Sequence, residues 1–119
     1  MEMFIAELRL RYGADAVSSR SVGAETLVKV TGVSIPGRKV TTDVLIVLNA
    51  NFRIGGGRPP VFFKPETTQP NGRPGRNVGA TLVHGESWLT ASWQFDWSPD
   101  LPAWALVEGA VRRFTVNED

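Results

Sequence analysis

Residues 28–48 read VKVTGVSIPGRKVTTDVLIVL, and the fold turns on how this stretch pairs with itself. Its first part sets Val28 and Val30 against Lys29 and Thr31, with Val33 and Ile35 following in partial alternation. Pro36-Gly37 is a turn signal, and from Val40 a β-branched run resumes that ends Val44-Leu45-Ile46-Val47-Leu48. Two such runs around Pro-Gly predict antiparallel strands. The second run is apolar on both faces, which suits a central strand with one face covered by helix.

Upstream, Phe4, Ile5, Leu8 and Tyr12 fall on one face of a short helix, and Gly13 is a plausible stop. The alternation Leu8-Arg9-Leu10-Arg11 would equally suit a strand. Residues 13–24 are small and serine-rich and read as a connecting loop. Downstream, Gly55-Gly56-Gly57 is a flexible connection, and Pro59-Pro60 introduces Val61-Phe62-Phe63, a short third strand closed by Pro65. Residues 66–79 show no apolar periodicity and read as a long irregular loop. A tryptophan-dense segment, residues 80–97, follows with Trp88, Trp93 and Trp97.

Ser98-Pro99-Asp100 then predicts a helix start, with Ser98 as N-cap and Pro99 in the first helical position. Trp104, Val107, Val111 and Phe114 form one stripe of that helix, and Arg112 and Arg113 in its last turn complement the dipole. The expected class is α+β, with an antiparallel sheet of about four strands flanked by an N-terminal and a C-terminal helix.

At 119 residues the chain is the size of one domain, 1–119, and its 42% apolar and 21% charged residues suit a soluble globular protein. A net charge of +1 argues against a strongly basic nucleic-acid binder or an acidic tail. No apolar run is long enough to span a bilayer, and no secretory leader is apparent at the start, so a cytoplasmic location is expected. With no cysteine and a single histidine, His84, neither thiol chemistry nor a zinc site is expected, and no cofactor is implied.

Other chemistries fare no better. His84 is the only base available to a serine triad, and no strand-turn-helix elbow surrounds any serine. Nothing in the spacing of Glu86, Asp96 and Asp100 singles out a carboxylate pair, and Gly55-Gly56-Gly57 lacks the context of a phosphate loop. The tryptophans could stack single-stranded nucleic acid, but their apolar neighbours favour a core role. Arg53, Arg58, Lys64, Arg73 and Arg76 outnumber Glu66 locally, which is read as a solvated loop rather than as a docking surface for an acidic partner.

Order and spacing from residue 59 onward add a resemblance. The chain gives Pro59-Pro60-Val61-Phe62-Phe63, then Gln69-Pro70-Asn71, a glycine-rich approach, Trp88, and Trp97-Ser98-Pro99 before an amphipathic helix. This resembles the core of ubiquitin-conjugating enzymes, the second thiol carriers of the ubiquitin cascade. In that family a Pro-Pro pair opens a strand ending in aromatics. A His-Pro-Asn tripeptide follows, then the catalytic cysteine, then a tryptophan often joined to Ser-Pro and a helix. Pro59-Pro60 matches the pair, and Pro70-Asn71 matches the tripeptide with Gln69 in place of histidine. Family spacing forward from Asn71 and back from Trp88 converges on Ala80, with Leu82, three after Gly79, as the competing position.

The resemblance covers residues 40–114 and, more loosely, the first helix. The cysteine and the tripeptide histidine are absent, and Trp88 is separated from Trp97-Ser98-Pro99. The short length is similar to that of bacterial family members encoded beside ubiquitin-like proteins. By that resemblance the activity is a carrier's: a thiolate at position 80 accepts a ubiquitin-like protein from a ThiF-type activating-enzyme-like protein and passes it to an amine. Asn71 would stabilise the oxyanion or shape the loop, His84 would lie near the site, and Asp96 and Asp100 would supply nearby acids. Arg9 and Arg11 would meet the activating enzyme, and a JAB-type peptidase would belong to the same pathway. No nucleic acid and no membrane partner is implied.

Alanine cannot form the thioester, whether it replaces a cysteine or is natural. The alternative is an inactive variant or RWD-like interaction module that binds a ubiquitin-like protein or a conjugation partner. The plainer roles stay open: Asn71 as a turn residue before Gly72, His84 as a satisfied polar residue, and Asp100 as a helix cap.

Overall fold

The two apolar runs around Pro36-Gly37 pair antiparallel, with Val28 opposite Ile46 and Val30 opposite Val44. The computed structural model describes residues 2–49 and 57–118. In chain order these form α1 (Glu2–Tyr12), β1 (Val17–Val22), β2 (Glu25–Ser34), β3 (Thr41–Asn49), β4 (Val61–Phe63), β5 (Val78–Val83), β6 (Glu86–Ala91) and α2 (Ala103–Val111). Short 3₁₀ turns occupy Ala14–Ala16 and Arg112–Thr115. The β2–β3 register shifts between Val30 and Val33, where Gly32 adopts a positive φ of 68° and donates its N–H to Asp43 Oδ1 at 3.1 Å. A bulge of this kind needs a residue without a Cβ penalty at that φ. Gly55 and Gly56, read as a flexible connection, and Arg53 lie outside the described residues.

All strands join one antiparallel sheet in the order β1-β2-β3-β4-β6-β5. The chain meanders through β4, crosses to the outer edge as β5, and returns as β6 between β5 and β4. The class is α+β as expected, but the sheet has six strands rather than about four. Residues 17–22, expected as loop, form β1 in register from Val17↔Val30 to Val22↔Glu25. An edge strand with a solvated face needs no apolar alternation, so Val-Ser-Ser-Arg-Ser-Val carries little strand signal of its own. The first part of the tryptophan-dense segment, with Trp88, belongs to a hairpin closed by His84-Gly85, both at positive φ (46° and 85°), and Trp93 and Trp97 lie beyond it. That conformation matches the twist of the flanking strands.

The last helix also begins later than expected. Ser98 starts a turn closed by Leu101 N–H on its carbonyl at 3.0 Å, and α2 begins at Ala103 after Pro102. Pro102 has no N–H to continue a helix from Ser98, and it biases Leu101 away from helical backbone. Asp100 therefore caps nothing at α2, whose N-cap residue Pro102 makes no side-chain bond. At the other end α2 stops at Val111. Arg112 is exposed, while Arg113 is wholly buried rather than arrayed along a last turn.

Both helices pack on one face of the sheet. Phe4 and Leu8 of α1 join Leu106, Val107, Ala110, Val111 and Phe114 over Val28, Val30, Val44, Ile46, Leu48 and Phe63. Phe114 meets Phe63 edge-on at 4.8 Å, and Trp97 meets Phe4 likewise at 6.3 Å. Trp97 Nε1 donates to Pro102 O and Trp93 Nε1 to Gly109 O, each at 3.0 Å, so these indoles bury their bulk and satisfy their N–H on the α2 backbone. Arg11 bridges to Glu108 at 2.5 Å and lies 4.8 Å over the Trp104 ring, tying α1 to α2.

Burial, reinforced by the Glu108 carboxylate and opposed by Arg11, pushes the Tyr12 phenol from 10.0 up to about 12. The unfolded chain ionises first, so this contribution is complete below pH 10 and is lost as pH rises toward about 12. The chain has one tyrosine, so phenolate absorbance of the native protein reads the group directly. A midpoint near 10 would show a solvated hydroxyl.

Gly109 lies beneath the Phe95 ring, which an added Cβ would strike. Gly109→Ala gains about 1 kcal/mol of helix propensity and loses about 1–3 kcal/mol to overpacking. A net loss of stability is expected in urea denaturation, and an unchanged midpoint would show that the ring yields.

Candidate functional site

Ala80 lies in mid-β5, the outermost strand, opposite Leu89 of β6. Alternate residues share a face, which puts Val78, Ala80 and Leu82 on the helix-bearing side. Val78 packs against the core there, whereas Ala80 is exposed and Leu82 is 69% exposed.

The hairpin also decides where the β5 backbone points. A two-residue turn closes on a hydrogen-bonded pair, here Val83 and Glu86, and alternation then gives Thr81 with Trp88 and Gly79 with Thr90. The 2.9 Å bond from Ser92 N–H to Asn77 O continues that series. Val78, Ala80 and Leu82 therefore turn their N–H and C=O groups to the outer edge. Among the described residues no other backbone meets them there.

The other two candidates sit in different settings. His84, at the hairpin turn, places Nε2 2.7 Å from Glu25 Oε1. It is roughly 13 Å from Ala80 along an extended chain. Asn71 shapes the loop between β4 and β5: its Oδ1 accepts from Gln69 Nε2 and from Arg73 N–H, each at 3.0 Å. Its own N–H donates to Asn117 Oδ1 at 2.9 Å, fastening the loop to the C-terminal segment. This is the side-chain turn chemistry for which asparagine is suited. Of the acids, Glu86 pairs with Arg20 at 2.9 Å, and Asp96 and Asp100 are exposed.

The centre of that loop is a buried polar knot. Arg113 is 0% exposed, and its Nη2 donates to Arg76 O at 2.9 Å. Both terminal nitrogens reach Gln69 Oε1 at 3.4 and 3.5 Å, and the Glu118 carboxylate lies 3.5 Å from Nε. Gln69, also buried, accepts from Glu118 N–H at 2.8 Å. Gly75, with φ of 101°, lies so close that a Cβ would strike the guanidinium and the Gln69 carboxamide. Gln69, in the place of the tripeptide histidine, thus works as a structural residue.

On the face away from the helices the sheet coils until its opposite edges approach. Arg20 of β1 reaches Glu86 of β6, and Glu25 of β2 reaches His84, although several strands lie between each pair. Below them Leu27, Leu45, Val47 and Trp88 form a second small core, and Leu27, Leu45 and Trp88 floor a cleft of about 220 Å³. Lys29 sits 5.8 Å over the Trp88 ring, and the buried Trp88 Nε1 has no hydrogen-bond partner among the described residues. Trp88 and Trp97 are buried and Trp93 and Trp104 partly so, in line with the core reading.

Two features escaped the sequence reading. The Gln69–Arg113 knot has no local signal, since its members are far apart in the chain. The hairpin had a partial one: Gly85 takes a positive φ without penalty, and histidine is among the residues enriched in that conformation. No family model, no curated protein and no solved structure matches the chain.

The knot sets a stability prediction. Arg113→Met leaves the Gln69 and Arg76 acceptors short of donors and is expected to cost about 2–3 kcal/mol. Glu118→Gln, at a half-exposed partner, should cost under about 1 kcal/mol. Denaturation midpoints of the two variants check the order, and equal losses would show that the ion pair dominates.

Proposed function

We propose that the chain is a carrier-like module of ubiquitin-like conjugation, which docks a ubiquitin-like protein and, with alanine at position 80, forms no thioester. The observation that carries this reading is the setting of Ala80. The residue on which both family spacings converge is exposed, in mid-strand, at the open edge of the sheet, where a partner can reach it. The element order supports it: α1, the meander β1-β2-β3-β4, and later α2 across the same face is the arrangement the resemblance implies. Position 80 lies on the β5–β6 hairpin, within the residues 40–114 that the resemblance covers. The partners are then a ubiquitin-like protein, a ThiF-type activating protein and a JAB-type peptidase.

One observation favours a second, purely non-catalytic reading. Asn71 is committed to its loop and His84 to Glu25, so neither is aligned on position 80 to assist acyl transfer. In that case the chain is an interaction domain in the manner of an inactive carrier variant.

One substitution separates the two. Ala80→Cys, mixed with activating enzyme, ATP and ubiquitin-like protein, is expected to give an adduct that thiol reductant removes, while the unsubstituted chain binds reversibly and gives none. Binding without an adduct selects the interaction domain. Absence of both binding and adduct would sink the conjugation reading altogether.

A further inference from the structure

A strand at the edge of a sheet offers a row of unpaired backbone groups, and natural proteins blunt such edges with lysine, proline, bulges or inward charges. The β5 strand, Val78-Gly79-Ala80-Thr81-Leu82-Val83, has no charge and no proline. Its register with β6 is unbroken over all its residues, so no bulge turns it away. Leu82, 69% exposed, adds an apolar side chain beside the open groups. The opposite edge differs: β1 carries Arg20, held across the sheet by Glu86.

We propose that two copies of the chain pair through β5, antiparallel about a two-fold axis at Ala80, to make one continuous sheet. Among extended partners, the outward groups of Val78, Ala80 and Leu82 are matched in full by a strand that presents its own outward groups at every second residue. A second β5 does so in full overlap. Val78 meets the partner's Leu82, Ala80 meets the partner's Ala80, and each pair exchanges both of its N–H···O bonds. Side chains agree with this register. Leu82 covers the partner's Val78 on the helix-bearing face, small alanines meet on the axis, and Thr81 faces the partner's Gly79 on the other side.

Charge agrees as well. The exposed Arg73 and Arg76 precede β5 and come near the other copy's hairpin end, where Glu86 of β6, bridged to Arg20, and Glu25 of β2, beside His84, supply acids. The contact uses the same patch on both copies, so it closes as a dimer and does not propagate. This pairing rests on edge geometry and is independent of the conjugation reading. It covers position 80, so a ubiquitin-like protein reaching Ala80 competes with the second copy.

The chain has no cysteine, so a single introduced one reports its own position. In the paired register the two Ala80 Cα atoms lie about 5.5 Å apart, within disulfide reach, whereas the two Leu82 residues are about 13 Å apart. Under mild oxidation Ala80→Cys is expected to crosslink into a dimer roughly tenfold faster than Leu82→Cys. Sedimentation of the unsubstituted chain is expected to show a monomer–dimer equilibrium. Ala80→Pro removes an outward N–H without touching the β6 ladder and should shift that equilibrium to monomer. Leu82→Lys makes the same test should the proline disturb the fold, as circular dichroism would show.

A chain that stays monomeric at high concentration, equal crosslinking at the two positions, or a dimer that survives Ala80→Pro and Leu82→Lys overturns the pairing. A monomer that still binds a ubiquitin-like protein overturns it while leaving the conjugation reading intact.

Discussion

Burial of the Arg113 guanidinium is the constraint on which the second half of the structure depends. Between β4 and β5 the chain runs through the irregular stretch 64–77, with no regular hydrogen-bonding ladder of its own. Something must fix where that loop ends, because a one-residue slip would turn every β5 side chain to the other face. Arg113 bonds Arg76 O just before β5, and Gln69 and Glu118 complete the knot with the loop and the C-terminal segment. A charge taken out of water tolerates few arrangements. That intolerance makes an arginine, rather than another leucine, an effective clamp.

The sheet then divides the molecule into two unlike faces. On one, the helices cover a continuous apolar core and leave little exposed. On the other, coiling brings distant strands close enough for Arg20 to reach Glu86 and for Glu25 to reach His84 over a small apolar floor. These bridges are exposed and contribute modestly to stability. Their information is geometric: they show how far the sheet has curled. They also hold the β5–β6 hairpin against β1 and β2 at one end, while the Arg113 knot holds it at the other.

Position 80 sits between those two anchors on a strand with an open side. That setting explains why the same residue figures both in a conjugation reading and in self-pairing. An exposed, uncharged strand with free backbone groups accepts an extended partner without first rearranging, and the identity of the partner depends on side chains and concentration. Asn71 and His84 are drawn into structural duties. Neither side chain is aligned on position 80, and thiol chemistry there would need the cysteine that alanine does not supply.

Much of the fold is legible in local pattern. The β2–β3 pair follows from its β-branched runs, the inner face of α1 from Phe4 and Leu8, and the stripe that runs from α2 into the following 3₁₀ turn from Val107, Val111 and Phe114. In each case the periodicity of burial is written in neighbouring residues. Local pattern misplaces the start of α2 at Ser98-Pro99, although Pro102 bars a helix from that point. What the sequence alone did not determine was β1, whose serines pair through backbone, and the coming together of Gln69 with Arg113. It also left open which side of β5 is bare. Backbone hydrogen bonding is common to all residues and burial of a lone arginine depends on distant partners, so only the tertiary structure decided those points.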